Sequence, residues 1–401
     1  MGASSRSVAG LGLLAAIAAL VAAALAAVLI RVDIGKWSLL GLPLRVTLAA
    51  LAVAALVTAI LWRGRWWRHV LFGVLALILA VGVVAAQVNA HYQYLREVRD
   101  LFGHRAANEV SVGGLVRDGK LPPNGKTVEL PIPGTKSGFN ARPAEVYLPP
   151  AWFRDKDRKL PVLFLLHGSP GYPVDWTRGG LADVTADQWA HAHNGIAPII
   201  VMPDINGGLT EDTECVNSPR GNAETYLMED VRPFVIQRFG TETAPTSWAI
   251  GGLSEGGMCG LVLTLRHPEA FRTFVDFGGL SGPRSGEADD PVAAQRDLFA
   301  GSKDEFDNHE PAVLLSRKTF PGISGWFEVA HGDGGALASS NKLVPLARTA
   351  GIDTCYVVIQ GGSHNFGVFA QSFRDSLPWL AARVGLVAKS PTQTALCRQG
   401  L

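Results

Sequence analysis

Three apolar runs without a charged residue occupy positions 8–30, 46–62 and 70–90, and they constrain the fold more tightly than any other feature of this chain. A helix needs about 20 apolar residues to cross roughly 30 Å of hydrocarbon. The runs predict three transmembrane helices, over about 8–30, 38–62 and 70–90. The second reaches back past Arg45, because a long basic side chain can extend to the interface. A cleaved signal peptide is the competing reading of the first run, since Arg6 precedes it and small residues fill it. Two more spans follow at once, and the run is long for a signal's apolar core. A buried helical bundle is the competing reading of all three; runs this long and this free of charge argue against it. Elsewhere the charge is balanced. Lys and Arg number 36 against 35 Asp and Glu, a net charge of +1, and no basic stripe is interleaved with aromatics. Nothing in that balance invites nucleic acid.

With three spans, the loop between the second and third lies on the same side as the N-terminus. That loop, RGRWWRH, carries Arg63, Arg65 and Arg68. Short basic loops stay in the cytoplasm, which puts everything after residue 91 on the outer face. Arg31, Lys36, Arg96, Arg99 and Arg105 would then lie outside, so charge alone leaves the orientation open. Trp62, Trp66 and Trp67 suit a membrane interface on either side. Cys215, Cys259, Cys355 and Cys397 all follow the spans. Four cysteines permit two disulfides in three connectivities. The expected pairs are Cys215–Cys259 and Cys355–Cys397, the second tying down a C-terminal tail. Four buried free thiols, ordinary in a cytosolic domain, are the alternative. The disulfide reading predicts a multi-pass protein of the cell membrane with its large domain extracytoplasmic.

Residues 92–125 are mixed and polar, contain LPPNGK and read as a linker. From Thr127 the texture changes. TVELPI and AEVYLP are short alternating strands that suit a hairpin. LPVLFLLHG (160–168), APIIVMPD (197–204), SWAIGGLS (247–254), GWFEVAHGD (325–333) and TCYVVIQGGSH (354–364) read as strands of a buried sheet. Helical patterns over 222–240, 255–268, 339–351 and 372–385 lie between or after them. This alternation predicts an α/β fold, a mostly parallel sheet with helices on both faces. Residues 283–322 break the pattern with charges and prolines and read as a lid-like insertion.

Gly252-Leu253-Ser254-Glu255-Gly256 is a G-x-S-x-G motif in a chain with 45 glycines, where chance produces such a string easily. Context decides. Here it ends a buried strand and opens a helix, the setting of a nucleophile elbow. A nucleophilic serine needs a base, and the base needs an orienting carboxylate, in the chain order Ser, Asp or Glu, His. Asp333 in HGDGG and His364 in GGSHNF follow the last two strands in that order. Open α/β sheets keep their sites at such strand ends. Asp304, Glu305 and Asp307 are rivals in the irregular segment; His331 is a rival inside the strand leading to Asp333. A turn aspartate and a loop histidine are the bland readings of the chosen pair. The tetrahedral intermediate needs two amide donors. One is the Glu255 N–H; the other comes from the HGSPG loop, where Pro170 has no N–H and Ser169 is the candidate. No His, Cys or Asp cluster has metal-ligand spacing, so neither metal nor cofactor is expected.

At these residues the chain resembles the esterase D-type family of α/β-hydrolases, which includes S-formylglutathione hydrolases, enterochelin and feruloyl esterases and the mycolyltransferases. VLFLLHGSPG, PIIVMPD, AETYLMEDVRPFV, AIGGLSEGGMCGLVLTLRHPEAF and GGSHNF carry the resemblance, in the family's order, over roughly residues 125–385. It implies an α/β-hydrolase fold with Ser254 as nucleophile, His364 as base and Asp333 as acid. DTECVNSPRGNAETY (212–226) resembles a loop near the active site of actinobacterial members. Glu255 departs from the pattern, since many relatives carry Met or Gln there. A carboxylate at that place repels anionic substrates or binds cationic ones such as an aminoacyl ester, unless it points to solvent. The membrane spans are additional to the family's core.

The expected organisation is a membrane region over 1–91, a linker over 92–125, a catalytic domain over 126–388 with the insertion 283–322, and a tail over 389–401. The expected activity is hydrolysis of a carboxylic ester, of an envelope lipid or glycolipid, by a membrane-anchored serine esterase. An acyltransferase using the same triad is the first alternative. A non-catalytic envelope binding protein on a hydrolase scaffold is the second, since fold alone does not give function. Transport through the spans is disfavoured, because Arg45 near an end is their sole charge. The expected partners are an ester substrate and the bilayer.

Overall fold

The computed structural model describes residues 38–61, 64–102, 109–209, 211–286, 289–388 and 397. The expected span over residues 8–30 lies outside the described residues. The chain divides into two compact units between residues 104 and 105.

The first unit contains helices α1 (Leu42–Leu61) and α2 (Trp66–Tyr92), of 20 and 27 residues with mean hydropathy 2.3 and 2.6. At 1.5 Å rise per residue the shorter is about 30 Å long, the thickness of the hydrocarbon layer. Among the described residues these two helices are long and apolar enough to cross a membrane, where the sequence reading expected three spans. They pack against each other, yet Val53, Ile60, Leu77 and Ile78 remain more than 60% exposed. Arg45, the sole charge of α1, donates from Nη1 to Gln87 Oε1 of α2 at 2.7 Å.

The second unit is built on strands β1 (Lys126–Leu130), β2 (Ala144–Leu148), β3 (Val162–Leu166), β4 (Ile199–Met202), the small hairpin β5 (Asn217–Ser218) and β6 (Gly221–Asn222), then β7 (Trp248–Leu253), β8 (Thr273–Phe277), β9 (Ser324–Ala330) and β10 (Asp353–Ile359). The main sheet has eight strands in the order β1-β2-β4-β3-β7-β8-β9-β10. Pairing is parallel from β4 through β3, β7, β8 and β9 to β10; β2 alone runs against its neighbours. Every residue of β3, β4, β7 and β8 is buried, as a sheet covered on both faces requires. One apolar cluster around Phe164, Trp248 and Phe271 fills one face; another around Trp176, Phe277 and Trp326 fills the other.

Helices α3 (Ala182–Ala192), α4 (Arg232–Phe239) and α5 (Glu255–Arg266) accompany the first strands. The insertion after β8 folds as α6 (Pro291–Leu298), α7 (Lys303–Asp307) and α8 (Pro311–Arg317), each starting at a proline or behind a serine cap. Helices α9 (Gly334–Thr349) and α10 (Phe366–Arg383) follow β9 and β10. The helix expected over 222–240 is one continuous run, widened to a π turn over Tyr226–Val231 before α4. Strand β8 was not anticipated. Its five residues, TFVDF, carry Asp276 in the middle of an apolar run, which hides the strand signal. Burial pushes that carboxyl up to about 7, so at mildly acid pH it enters the core uncharged.

Candidate active site

Strand β7 ends at Leu253, and Ser254 turns the chain into α5 with φ 55° and ψ −122°. A non-glycine residue is rarely held there; such a conformation costs about 1–3 kcal/mol and persists only where its surroundings impose it. The surroundings are visible. Ser254 N donates to Phe277 O of β8 at 2.9 Å, and Ser254 O accepts from Gly257 N at 2.9 Å. The flanking glycines let β3 pass. A Cβ on Gly252 would lie 2.0 Å from Leu166 O, and one on Gly256 would lie 2.4 Å from the same atom. Ser254 thus stands at the N-terminus of a twelve-residue helix, whose amide dipoles favour negative charge.

His364 and Asp333 meet each other by the end of β8, the strand that anchors Ser254. His364 Nδ1 lies 2.5 Å from Asp333 Oδ2, and the imidazole edge rests on Phe369 with ring centroids 5.0 Å apart. With the Nδ1 proton directed at the carboxylate, Nε2 is left as the proton acceptor. Asp333 also caps α9, its Oδ1 accepting from Ala336 N at 3.4 Å. The pair is next to the serine's own anchor. Gly278 follows Phe277, and a Cβ there would lie 3.3 Å from Asp333 Oδ2 and 3.5 Å from His364 Nδ1. The rivals are elsewhere: His331 is exposed, Asp304 and Glu305 lie exposed on α7, and Asp307 is held by Lys303 and Arg317 at 2.7 and 2.8 Å.

The HGSPG loop after β3 closes over the serine. A Cβ on Gly168 would lie 3.1 Å from Ser254 Cβ, so the backbone that leads into Ser169 passes against the elbow. His167 is fully buried, with Nδ1 2.7 Å from Gly168 O and Nε2 3.1 Å from Asp204 Oδ1. Asp204 in turn accepts from Arg142. Despite burial, the His167 and Arg142 hydrogen bonds hold its carboxyl well below the usual range.

Glu255 neither faces solvent nor presents a free charge to a substrate. It is buried; Oε2 accepts from Asn206 Nδ2 at 2.8 Å and Oε1 from Glu214 N at 3.1 Å. Burial, and after it the facing Asp212, pushes its carboxyl up to about 8. Glu214 is driven up by burial and by Glu255. Cys215 and Cys259 are joined by a disulfide, as are Cys355 and Cys397. Cys215, Glu255 and Cys259 are the group that comes together as metal ligands would among the described residues; the disulfide leaves that group without a thiolate. The sequence reading placed the loop holding Glu214 near the site but missed Asp204 and Asn206. Their signal was PDIN directly after a buried strand, polar residues at the end of the sheet where sites form.

A mostly parallel sheet with helices on both faces, a strained serine after β7 and a His–Asp pair after β9 and β10 has the α/β-hydrolase-like fold. Residues 140–380 match the family model described as "Putative esterase". An uncharacterised protein of Corynebacterium glutamicum is 34% identical over 353 residues, 84% of this chain and 81% of that one. A ferulic acid esterase structure is similar with a TM-score of 0.56 at 22% identity, covering 65% of this chain and 99% of its own. An S-formylglutathione hydrolase from Agrobacterium tumefaciens aligns with a TM-score of 0.56 at 16% identity, over 66% of this chain and 97% of its own. At such identities the two structures speak for the fold. The chain belongs to the esterase family that the model defines.

Proposed function

We propose that this chain is a membrane-anchored serine esterase that cleaves a carboxylic ester through an acyl-enzyme. The observation that carries the reading is Ser254, strained at a strand end beside the hydrogen-bonded His364–Asp333 pair. Ser254 Oγ attacks the ester carbonyl while His364 Nε2 takes its proton, and the same proton passes to the departing alkoxide. Asp333 stays ionised and holds the imidazole. The Ser169 and Glu255 N–H groups receive the oxyanion. Water, deprotonated by His364, then releases the acid and frees Ser254. An alcohol taking water's place makes the same machinery an acyltransferase.

Exposed apolar faces on α1 and α2 support anchoring, since a soluble helix pair would bury them. The two disulfides support a catalytic domain outside the cytoplasm. A site tethered there meets lipid-linked esters first, which makes an envelope lipid or glycolipid ester the substrate class. The test is fluorophosphonate labelling and p-nitrophenyl ester hydrolysis by the full chain in detergent micelles. Ser254→Ala should abolish labelling, and Asp333→Asn should lower kcat by about 10³–10⁴-fold. A folded wild-type chain that takes no label removes the mechanism. Adding a glycolipid acceptor and finding ester transfer instead of free acid selects the transferase form.

A further inference from the structure

The two oxyanion donors of the proposed site come from different elements, the loop after β3 and the first turn of α5, and a buried polar chain ties the two together. It starts at His167, two residues before Ser169. His167 Nε2 donates to Asp204 Oδ1 at 3.1 Å. Asp204 Oδ1 also accepts from Asn206 N at 3.2 Å. The Asn206 side chain then donates to Glu255 Oε2 at 2.8 Å. His167, Asp204 and Asn206 are each no more than 1% exposed, so water does not compete for these bonds.

The far side of Glu255 is held as firmly. Glu214 N donates to Glu255 Oε1, Thr213 N donates to Asn206 Oδ1 at 3.0 Å, and the Thr213 hydroxyl donates to Ile205 O at 2.6 Å. Glu214 and Cys215 take φ of 54° and 55°, a bend in the segment whose Glu214 N–H reaches Glu255. Cys215 is then locked to Cys259, one turn further along α5 from Glu255. None of this contacts the reacting atoms of the proposed mechanism. It fixes where two backbone N–H groups stand.

We propose that Asn206 and the Glu255 side chain are positioning residues of the oxyanion hole, setting the separation of the Ser169 and Glu255 amides through the His167–Asp204–Asn206–Glu255 chain. This rests on the serine esterase reading and deepens it. Donors placed for the tetrahedral oxyanion act on the transition state and hardly on the bound ester, so loss of positioning falls on kcat. The side chain does this work uncharged. Asp212, Asp204 and Glu214 face it; the cations near them are Arg220 on Asp212, Arg142 on Asp204 and Arg284 on Glu214, and the His167 ring also bonds Asp204. None of these cations pairs with Glu255 itself. Ionisation would put a negative charge one residue from the developing oxyanion, and it begins as pH rises through about 8.

The experiment compares the full chain in detergent micelles with Asn206→Ala, Glu255→Ala and Glu255→Gln, using a p-nitrophenyl ester across pH 6–10 and fluorophosphonate labelling rates. Circular dichroism melts establish that each variant is folded. Asn206→Ala and Glu255→Ala should lose about 10- to 100-fold in kcat, the cost of a small misplacement, with KM changed less than about threefold. Glu255→Gln, which keeps an uncharged carbonyl for one of the two bonds, should recover part of the Glu255→Ala loss and hold its activity to higher pH than the wild type. Alanine variants with wild-type kcat in an active, labelled protein overturn the positioning role alone. Glu255→Gln as poor as Glu255→Ala, or with an unmoved alkaline limb, overturns the uncharged role. A folded wild type that neither hydrolyses the ester nor takes the label overturns both this proposal and the esterase reading.

Discussion

Ser254 keeps a backbone conformation that few side chains adopt because β3 and β8 leave it no other. The glycine before its neighbour Leu253 is what allows β3 so close. Gly252→Ala would place a Cβ 2.0 Å from Leu166 O, and the two strands must part to admit it. Overpacking of this kind costs about 1–3 kcal/mol, and here it also tilts the elbow. The variant should melt several degrees lower and lose most of its esterase turnover; a melt and turnover like the wild type would mean the strands yield freely. At this scale the sequence was legible where chemistry and chain order coincide. Ser254, Asp333 and His364 stand out because each follows an apolar strand pattern, in the order an α/β sheet delivers them. Asn206 was not legible, because an asparagine after a strand looks like any turn residue until its partner 49 positions away is known.

The loop over 211–216 shows what an element gains from a cross-link. The Cys215–Cys259 disulfide closes a separation of 44 residues and joins that loop to α5. On the chain-entropy argument a closure of this length is worth about 4 kcal/mol. Cys215→Ser with Cys259→Ser should therefore lower the melting temperature by about 10 °C, given some 2–4 °C per kcal/mol for a domain of this size. A shift under about 2 °C would indicate that the hydrogen bonds around Glu255 hold the loop unaided. The π-widened run before α4 and strand β8 were the elements the sequence obscured. The first needs the packing of Tyr226 and Leu227 into the core, the second needs a neutral Asp276; neither is a local property.

Over the whole molecule, buried carboxyls set the response to pH. Burial pushes Asp183 to about 6, Glu145 and Asp276 to about 7, and Glu255 and Glu328 to about 8. Each is raised above its unfolded value, so between about pH 4.5 and 8 the folded chain binds more protons than the unfolded one, and stability falls as pH rises. Asp204 and Glu224 act in the opposite sense. Despite burial, His167 with Arg142, and His267, His309 and Arg266, hold them low, and the stability they contribute is lost as pH falls below about 4. The chain should be most stable in mild acid, with a melting temperature higher at pH 5.5 than at pH 8.5; a rise across that range would contradict the assignment. Orientation is a second test at this scale. A reporter that folds only outside the cytoplasm, fused at the C-terminus, should be active, and the chain should stay with membranes through an alkaline wash.

Composition and order along the chain determined a great deal by themselves. Long runs without charge determined the apolar helices, because no water-facing fold hides them. Continuous β-branched and apolar stretches ending in glycine determined a buried sheet, and the motif at the end of one of them marked the strand-to-helix turn at Ser254. The tertiary structure alone decided what surrounds Ser254. Whether Glu255 is a charge offered to substrate or a buried peg depends on Asn206, Asp212 and Glu214, which are distant in sequence and adjacent only after the strands align. Burial and neighbouring charge, which set a carboxyl's protonation, exist only in the folded chain.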